Sequence, residues 1–427
     1  MKLLGIDIGT TAICGLLLDA AEFKVIKTVS KPNNSFIPSD REFEKIQNPD
    51  MIFKTVRDII EEIGVTPDAV GFSCQMHGIV YSDKNLNAVS PLYTWQDTRG
   101  ALEYKDGKSF AEYLGCYPGY GLSTFLYNRV NGIEPENAAY ISTVGDWAAA
   151  KLCSLDKPVT HITNAAGLGC FDLETNRFKC EYDMLPDVTA EFSVIGKTSE
   201  GVPAAVCVGD NQASFIGSVP DRNGILINIG TGAQISYLSE SLSGNTVSEA
   251  RPFDSVRYLM AGCSLCGGRS LAAFEKFCRE IANEAGADIK SYYPVFDRLS
   301  SENYETSLKA DCRYAGTRND PGVTGGFSSL TENNYTLRDF LFSIYDGMIN
   351  ELYGMYGGKE KPDAVYCSGN GIRKNPILLN VIKKYFGVEP HITAYTEEAA
   401  FGAALTAGTA IGFFKNIDEA RTHIEVI

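Results

Sequence analysis

Ala204–Ser214 reads AAVCVGDNQAS, an apolar run that ends at Gly209 and Asp210, with a helix expected to follow. A carboxylate at that point has two readings. Asp is a good helix N-cap, a contribution of about 1 kcal/mol. It is equally a candidate general base, because phosphoryl transfer needs a carboxylate to orient and deprotonate the attacking hydroxyl, plus charge stabilisation of the phosphate. Phe72–Val80 reads FSCQMHGIV, an apolar strand leaving into Gln75, Met76, His77 and Gly78. A lone His is more often structural than catalytic, yet beside Gln and Gly at a strand end it suits a hydrogen-bonding wall for a polyhydroxylated ligand. Leu92–Arg99 reads LYTWQDTR. Trp95 either joins the core or packs on the apolar face of a sugar, with Gln96, Asp97 or Arg99 binding hydroxyls.

Two further segments echo each other. Leu3–Leu18 (LLGIDIGTTAICGLLL) and Gly224–Leu238 (GILINIGTGAQISYL) each read as apolar strand, Gly-Thr turn and apolar strand, the pattern of a hairpin. Aligning the turns pairs Asp7 with Asn228, Gly9 with Gly230 and Thr10 with Thr231. One shared turn is explained by chance. Two such hairpins, each opening one half of the chain, favour duplication. Gly9, Gly230 and Gly232 allow positive φ and close approach to a ligand, and the backbone N–H groups with the threonine hydroxyls make an anion cradle. Asp7 adds a carboxylate for Mg²⁺, a hard cation that takes few protein ligands beside substrate phosphates. Asn228 adds no second charge.

Glycine-rich turns recur later. Ala364–Leu378 reads AVYCSGNGIRKNPIL, in which Gly369 and Gly371 permit flat approach by a base or ribose, a weak signal alone; Gly262–Leu271 (GCSLCGGRSL) is a candidate for the opposite wall. Helical periodicity is expected over Asn48–Ile63, Leu271–Ala285, Leu337–Tyr356 and Pro376–Phe386, strands over Asp68–Cys74 and Ala364–Cys367, and a close-packed scaffold helix over Glu397–Gly412. The polar stretch Ser241–Asp254 reads as a loop. Mixed α/β with helix-covered sheets is the natural class. The boundary belongs near Pro220–Asn223, giving residues 1–222 and 223–427 as domains.

Composition agrees with a two-domain globular protein. A chain of 427 residues with 44% apolar and 21% charged residues is long for one core. The formal charge of −15 argues against nucleic acid or an anionic membrane as main partner. No export signal or run of roughly 20 apolar residues is present, so a cytoplasmic location is expected. The twelve cysteines are scattered and read as buried thiols. Cys263 and Cys266 have C-x-x-C spacing, but a zinc site needs further ligands, and four histidines supply no matching pair.

In this order, DIGTT at Asp7–Thr11, QMHG at Gln75–Gly78, GDNQA from Asp210, the GTG turn at Gly230–Gly232, and SGNGIRKNP followed by EEAAFGAAL resemble the FGGY family of carbohydrate kinases over nearly the whole chain. TWQDTR, TNAAGLGCFD at Thr163–Asp172 and VGDNQASFIGS are most similar to members that phosphorylate sedoheptulose, with members acting on xylulose next. The resemblance implies an actin/hexokinase-like ATPase fold of two ribonuclease-H-like domains with an interdomain catalytic cleft, residues 1–222 binding sugar and 223–427 nucleotide. It implies ATP and Mg²⁺ as cofactors and a sugar as substrate. Asp7 maps to the metal position and Asp210 to the proton acceptor. Gln75, Met76, His77, Trp95, Asp97 and Asn211 map to the substrate side. Thr10, Thr11, Gly230, Thr231, Gly232, Gly268, Gly369, Asn370 and Gly371 map to the nucleotide. Two departures stand out: Ala12 and Cys14 replace a Ser and a basic residue common in the family, and the chain is shorter than is usual.

Other readings of the same fold are an actin-like nucleotide-binding regulator and a catalytically dead sugar binder. Asp7, Asp210 and His77 together speak against both, since a regulator needs no sugar-wall histidine and a dead relative loses its base. A homodimer is compatible with the sequence, which names no partner protein.

Overall fold

The computed structural model describes all residues except 243–247, 319, 321, 358–360 and 427. It divides into two compact units. The first comprises Met1–Pro220, Arg251–Tyr258 and Glu397–Ile424; the second comprises Asp221–Ala250 and Leu259–Thr396, with the chain end from Glu425. The division near residue 222 thus sits close to the structural one, but two later segments return to the first unit.

In the first unit the opening hairpin forms as its apolar runs dictate. Lys2–Ile8 and Ala12–Asp19 pair antiparallel, and Lys24–Pro32 continues the meander. Ala69–Cys74 then pairs parallel to Lys2–Ile8. The resulting order is Val194–Lys197, Pro203–Ala205, Ala69–Cys74, Lys2–Ile8, Ala12–Asp19, Lys24–Pro32, with Val208–Gly209 also pairing Ala69–Cys74. Helix Pro49–Ile63 covers one face. Asn48 caps it by accepting from Met51 N, Pro49 supplies a preset φ, and Gly64 ends it at φ 72. Its buried stripe of Ile52, Val56, Ile59 and Ile63 stabilises by roughly 1.5–3 kcal/mol per side chain.

The other face takes helix Glu398–Ala410 from the far end of the chain. Its small residues let it touch the sheet backbone directly: a Cβ on Gly5 would lie 1.8 Å from Ala400 O, and one on Gly71 would lie 1.9 Å from Ala403 O. The helix is scaffold, as its composition suggests, but scaffold of the first unit.

The second unit repeats the plan. Ile225–Ile229 and Ala233–Ser239 pair antiparallel, Ile225–Ile229 pairs parallel to Val365–Ser368, and the order is Glu249–Pro252, Tyr258–Ser264, Ala233–Ser239, Ile225–Ile229, Val365–Ser368, Pro390–Ile392. Helices Gly268–Glu284, Leu337–Tyr356 and Ile377–Phe386 accompany it. One expectation needs correction: the stretch read as a loop from Ser241 contains strand Glu249–Pro252, a short polar edge strand without the alternation that marks a half-buried one; residues 243–247 lie outside the described residues. Among the described residues no helix is long and apolar enough to cross a membrane.

Candidate active site

Register places the candidate residues of the first unit. Ile8 pairs Cys74 and Cys74 pairs Gly209, all on parallel strands. The residues that follow, Gly9–Thr11, Gln75–His77 and Asp210–Asn211, therefore leave the sheet at one edge, where open α/β sheets bind ligands.

Asp210 is the first residue of helix Asp210–Ile216, whose N-cap is Gly209 without a side-chain cap bond. The capping reading is thereby removed. Asp210 Oδ1 instead accepts from Asn211 N at 2.8 Å and Asn211 Nδ2 at 3.1 Å. Burial pushes its carboxyl up to about 6, against the Arg251 guanidinium and the Asn211 bonds, which pull it down. Arg251 is 5% exposed and arrives on one of the returning segments. Gln212 Nε2 secures that segment by donating to Pro252 O at 2.8 Å.

Asp7 Oδ1 accepts from Ser73 Oγ at 2.5 Å across the parallel strands. Burial raises its carboxyl to about 7; the Ser73 bond opposes this, while the charges of Asp210 and Glu397 add to it. A desolvated carboxylate facing two other carboxylates is a group that a cation would relieve. Among the described residues no cluster of three or more His, Cys, Asp or Glu is arranged to hold a metal alone. A cation here would take Asp7 and draw its remaining ligands from phosphates and water, which suits Mg²⁺.

The turn after Asp7 is held by its carbonyls. Asn33 Nδ2 donates to Gly9 O, Gln47 Nε2 to Thr10 O, and Asn33 N to Thr11 O. The second unit does the same with other donors: Gly268 N to Gly230 O, Arg269 N to Thr231 O, and Gly230 N to Gly232 O. Carbonyl oxygens repel phosphate, so satisfying all three from the protein side removes that repulsion. Gly9, Gly230 and Gly232 lie outside the positive-φ set, which corrects the expectation of left-handed turns. Gly369 does have φ 89 and caps the short helix Asn370–Lys374. Its backbone packs on Ile229, whose O would lie 2.5 Å from a Cβ at 369, so Gly369, Asn370 and Gly371 stand at the same sheet edge as Gly230. A Cβ at Gly230 would meet nothing within 4 Å.

The substrate-side residues are also brought together. Thr10 Oγ1 donates to Gln75 Oε1 at 3.2 Å and accepts from Trp95 Nε1 at 3.0 Å, while Gln75 Nε2 reaches Gln47 Oε1 at 2.9 Å. Trp95 is 44% exposed, so the core reading of it falls. Met76 Sδ lies 3.7 Å from Asn211 Nδ2, and a Cβ on Gly209 would lie 2.8 Å from both Met76 Sδ and Gln212 Oε1. His77 is held at φ 77, a strained value for a bulky residue. Its Nδ1 donates to Gly167 O at 2.9 Å, and its ring stacks on Tyr120 with centroids 4.3 Å apart.

Asp97 does not join them. It is fully buried, its Oδ1 takes Arg99 Nε at 2.7 Å, and its Oδ2 takes Arg99 Nη2 at 2.9 Å and Lys45 N at 3.1 Å. Asp97 and Arg99 are a buried structural pair, and a sugar hydroxyl would have to break it. Cys263 Sγ is hydrogen-bonded to Gln234 Oε1 at 3.4 Å. A groove of about 1070 Å³ along helix Pro49–Ile63, lined by Phe53, Arg57, Lys151 and Val202, contains none of these residues.

Sequence reasoning missed Arg251, Glu397, Gln47 and Asn33. Only Asn33 and Gln47, polar residues in a short span after the first hairpin, left any local signal.

Comparison with known proteins places this arrangement. Residues 2–217 match the N-terminal domain of the FGGY family of carbohydrate kinases. The chain belongs to that family. It is a carbohydrate kinase that uses ATP, built on the family's two-domain actin/hexokinase-like fold. It is 22% identical to sedoheptulokinase of Homo sapiens, covering 94% of this chain and 96% of that one. Among solved structures, a ligand-bound xylulose kinase from Lactobacillus acidophilus superposes with TM-score 0.84 at 20% identity, covering 100% and 92%. Plasmodium falciparum glycerol kinase with ADP superposes with TM-score 0.79 at 17% identity, covering 99% and 92%.

Proposed function

We propose that this kinase transfers the γ-phosphoryl group of ATP to the terminal hydroxyl of an unphosphorylated ketose, sedoheptulose first and xylulose second. The observation that carries the reading is Asp210, a desolvated carboxylate that is not a cap, held by Asn211, whose side-chain amide in turn meets Met76. In this reading Asp210 accepts the proton of the attacking hydroxyl, and its elevated pKa of about 6 keeps it basic enough to do so while still ionised at neutral pH. Asn211 holds the carboxylate in orientation. His77, fixed with Nδ1 as donor to Gly167, Gln75 and Trp95 wall the sugar.

Asp7 holds Mg²⁺, which when bound neutralises phosphate charge. The Gly9–Thr11 and Gly230–Gly232 turns, whose carbonyls are satisfied from the protein side, receive phosphate, with Gly230 N itself held by Gly232 O. Gly268 and Arg269, whose N–H groups hold the Gly230 and Thr231 carbonyls, fix the second turn; Gly369, Asn370 and Gly371 take the nucleoside.

A wall of neutral hydrogen-bonding groups with an aromatic plate suits hydroxyls better than a sugar phosphate, which calls for clustered Arg or Lys. Support for sedoheptulose comes from the family motifs and the relative of that name. An ADP-release assay against a panel of ketoses, polyols and sugar phosphates tests the reading. The highest kcat/KM is expected for sedoheptulose; saturable turnover of a sugar phosphate in preference to any free ketose would overturn it.

A further inference from the structure

Thiols lie behind the segment that holds His77. Cys170 and Cys180 flank a short hairpin in which Phe171 pairs Phe178 and Asp172 pairs Arg177. Lys179 N donates to Cys170 O at 2.6 Å, so the two cysteines leave the ladder at neighbouring positions. Both are free and partly buried, and both pack against the same buried cluster, which includes Leu122, Phe125 and Leu168. The Cys180 contact and the Lys179 charge, against opposing burial, bring the Cys170 thiol down to about 7, the setting of a reactive cysteine. Among the described residues no three-ligand metal arrangement includes them.

We propose that Cys170 and Cys180 are a reversible dithiol–disulfide pair whose state is transmitted to the sugar wall through Gly169, Tyr120 and His77. Gly169, at φ 94, would bring a Cβ within 3.3 Å of both Cys116 Cβ and the Tyr120 ring. Tyr120 stacks on His77, and Gly167 O holds the His77 ring. An S–S bond of about 2.05 Å brings the two sulfurs to covalent distance, and the closely packed Gly167–Cys170 segment must take up the shift.

The oxidant is a low-molecular-weight disulfide. Cys170 thiolate attacks one of its sulfurs, forming a mixed disulfide and releasing a thiolate. Cys180 then loses its proton, attacks the Cys170 sulfur and expels the second thiolate. Each released thiolate takes up a proton that one cysteine gave up, so two protein thiols are oxidised and one disulfide is reduced to two thiols. The disulfide itself does not depend on the proposed sugar reading; its transmission to the wall rests on that reading.

The test equilibrates the full chain in glutathione buffers of graded potential, then alkylates, digests and maps peptides by mass spectrometry alongside initial rates. A Cys170–Cys180 linked peptide is expected, removable by dithiothreitol, with KM for the sugar raised about threefold or more and KM for ATP unchanged. Cys170→Ser and Cys180→Ser should each abolish peptide and response, and Cys116→Ser neither. Absence of the linked peptide, or a Cys116–Cys170 link in its place, overturns the pair. If His77→Ala raises the sugar KM while oxidation does not, the wall stands and the transmission falls. If neither changes it, the sugar-wall reading has failed instead, and transmission falls with it.

Discussion

Ser73 donates to Asp7 across two parallel strands at 2.5 Å, and the second unit keeps the same pair in altered form, with Asn228 Nδ2 donating to Ser368 Oγ at 2.7 Å. The repeated register makes duplication concrete, and the change from carboxylate to amide confines the charge to one unit. The Ser73 bond lowers a carboxyl that burial otherwise raises. Ser73→Ala should therefore move the acid limb of kcat/KM to higher pH. Because Asp7 and Asp210 interact, that limb reports apparent values of the pair rather than of either residue. A pH–rate profile checks this; an unmoved limb would remove Asp7 from the rate-determining ionisation.

His161 gives a stability test. It is buried, and desolvation drops its pKa from 6.5 to about 4. Nε2 lies 3.2 Å from Ala190 O, and Nδ1 accepts from Thr163 N, as the neutral ring requires. The unfolded chain binds a proton in this window and the native chain does not, so the contribution is complete above 6.5 and is lost as pH falls towards 4. Relative to His161→Asn, the intact protein should lose about 3 kcal/mol across the window, read by urea unfolding at each pH. A constant difference between the two proteins would refute a neutral buried His161.

Gly209→Ala places a Cβ 2.8 Å from Met76 Sδ, and Met76 must give way. Sugar KM should rise and kcat fall, with nucleotide affinity little changed, in steady-state kinetics with each substrate varied. Full activity in this variant would mean that the Met76 contact with Asn211 is not needed for turnover.

His77→Ala should lower kcat/KM for the sugar by roughly 10- to 100-fold, the range expected when a hydrogen-bonding partner is lost, and leave KM for ATP close to its original value. Equal losses for both substrates would place His77 in the fold rather than the wall.

Both hairpins, and the position of Asp210 between a strand end and a helix, were legible because an apolar run ending in Gly-Thr or Gly-Asp is a local signal that needs no tertiary knowledge. Helix Leu337–Tyr356 matches its expected span for the same reason. Arg251 and Glu397 were not legible, since they join the first unit only because the chain returns to it. The Ala-rich helix showed its small residues, but not that Gly5 and Gly71 were their counterparts. Asp97 misled because a carboxylate beside Trp reads as a ligand group until Arg99 is seen folded back on it.

The most direct test of the account is the turnover of Asp210→Asn with ATP and sedoheptulose, measured on protein whose unfolding curve and ATP affinity match the parent. The carboxylate caps nothing, so the fold should be retained while kcat falls by at least ~10²-fold, the loss typical of a missing general base. A kcat near that of the parent would contradict the account, because Asp210 would then be neither cap nor base.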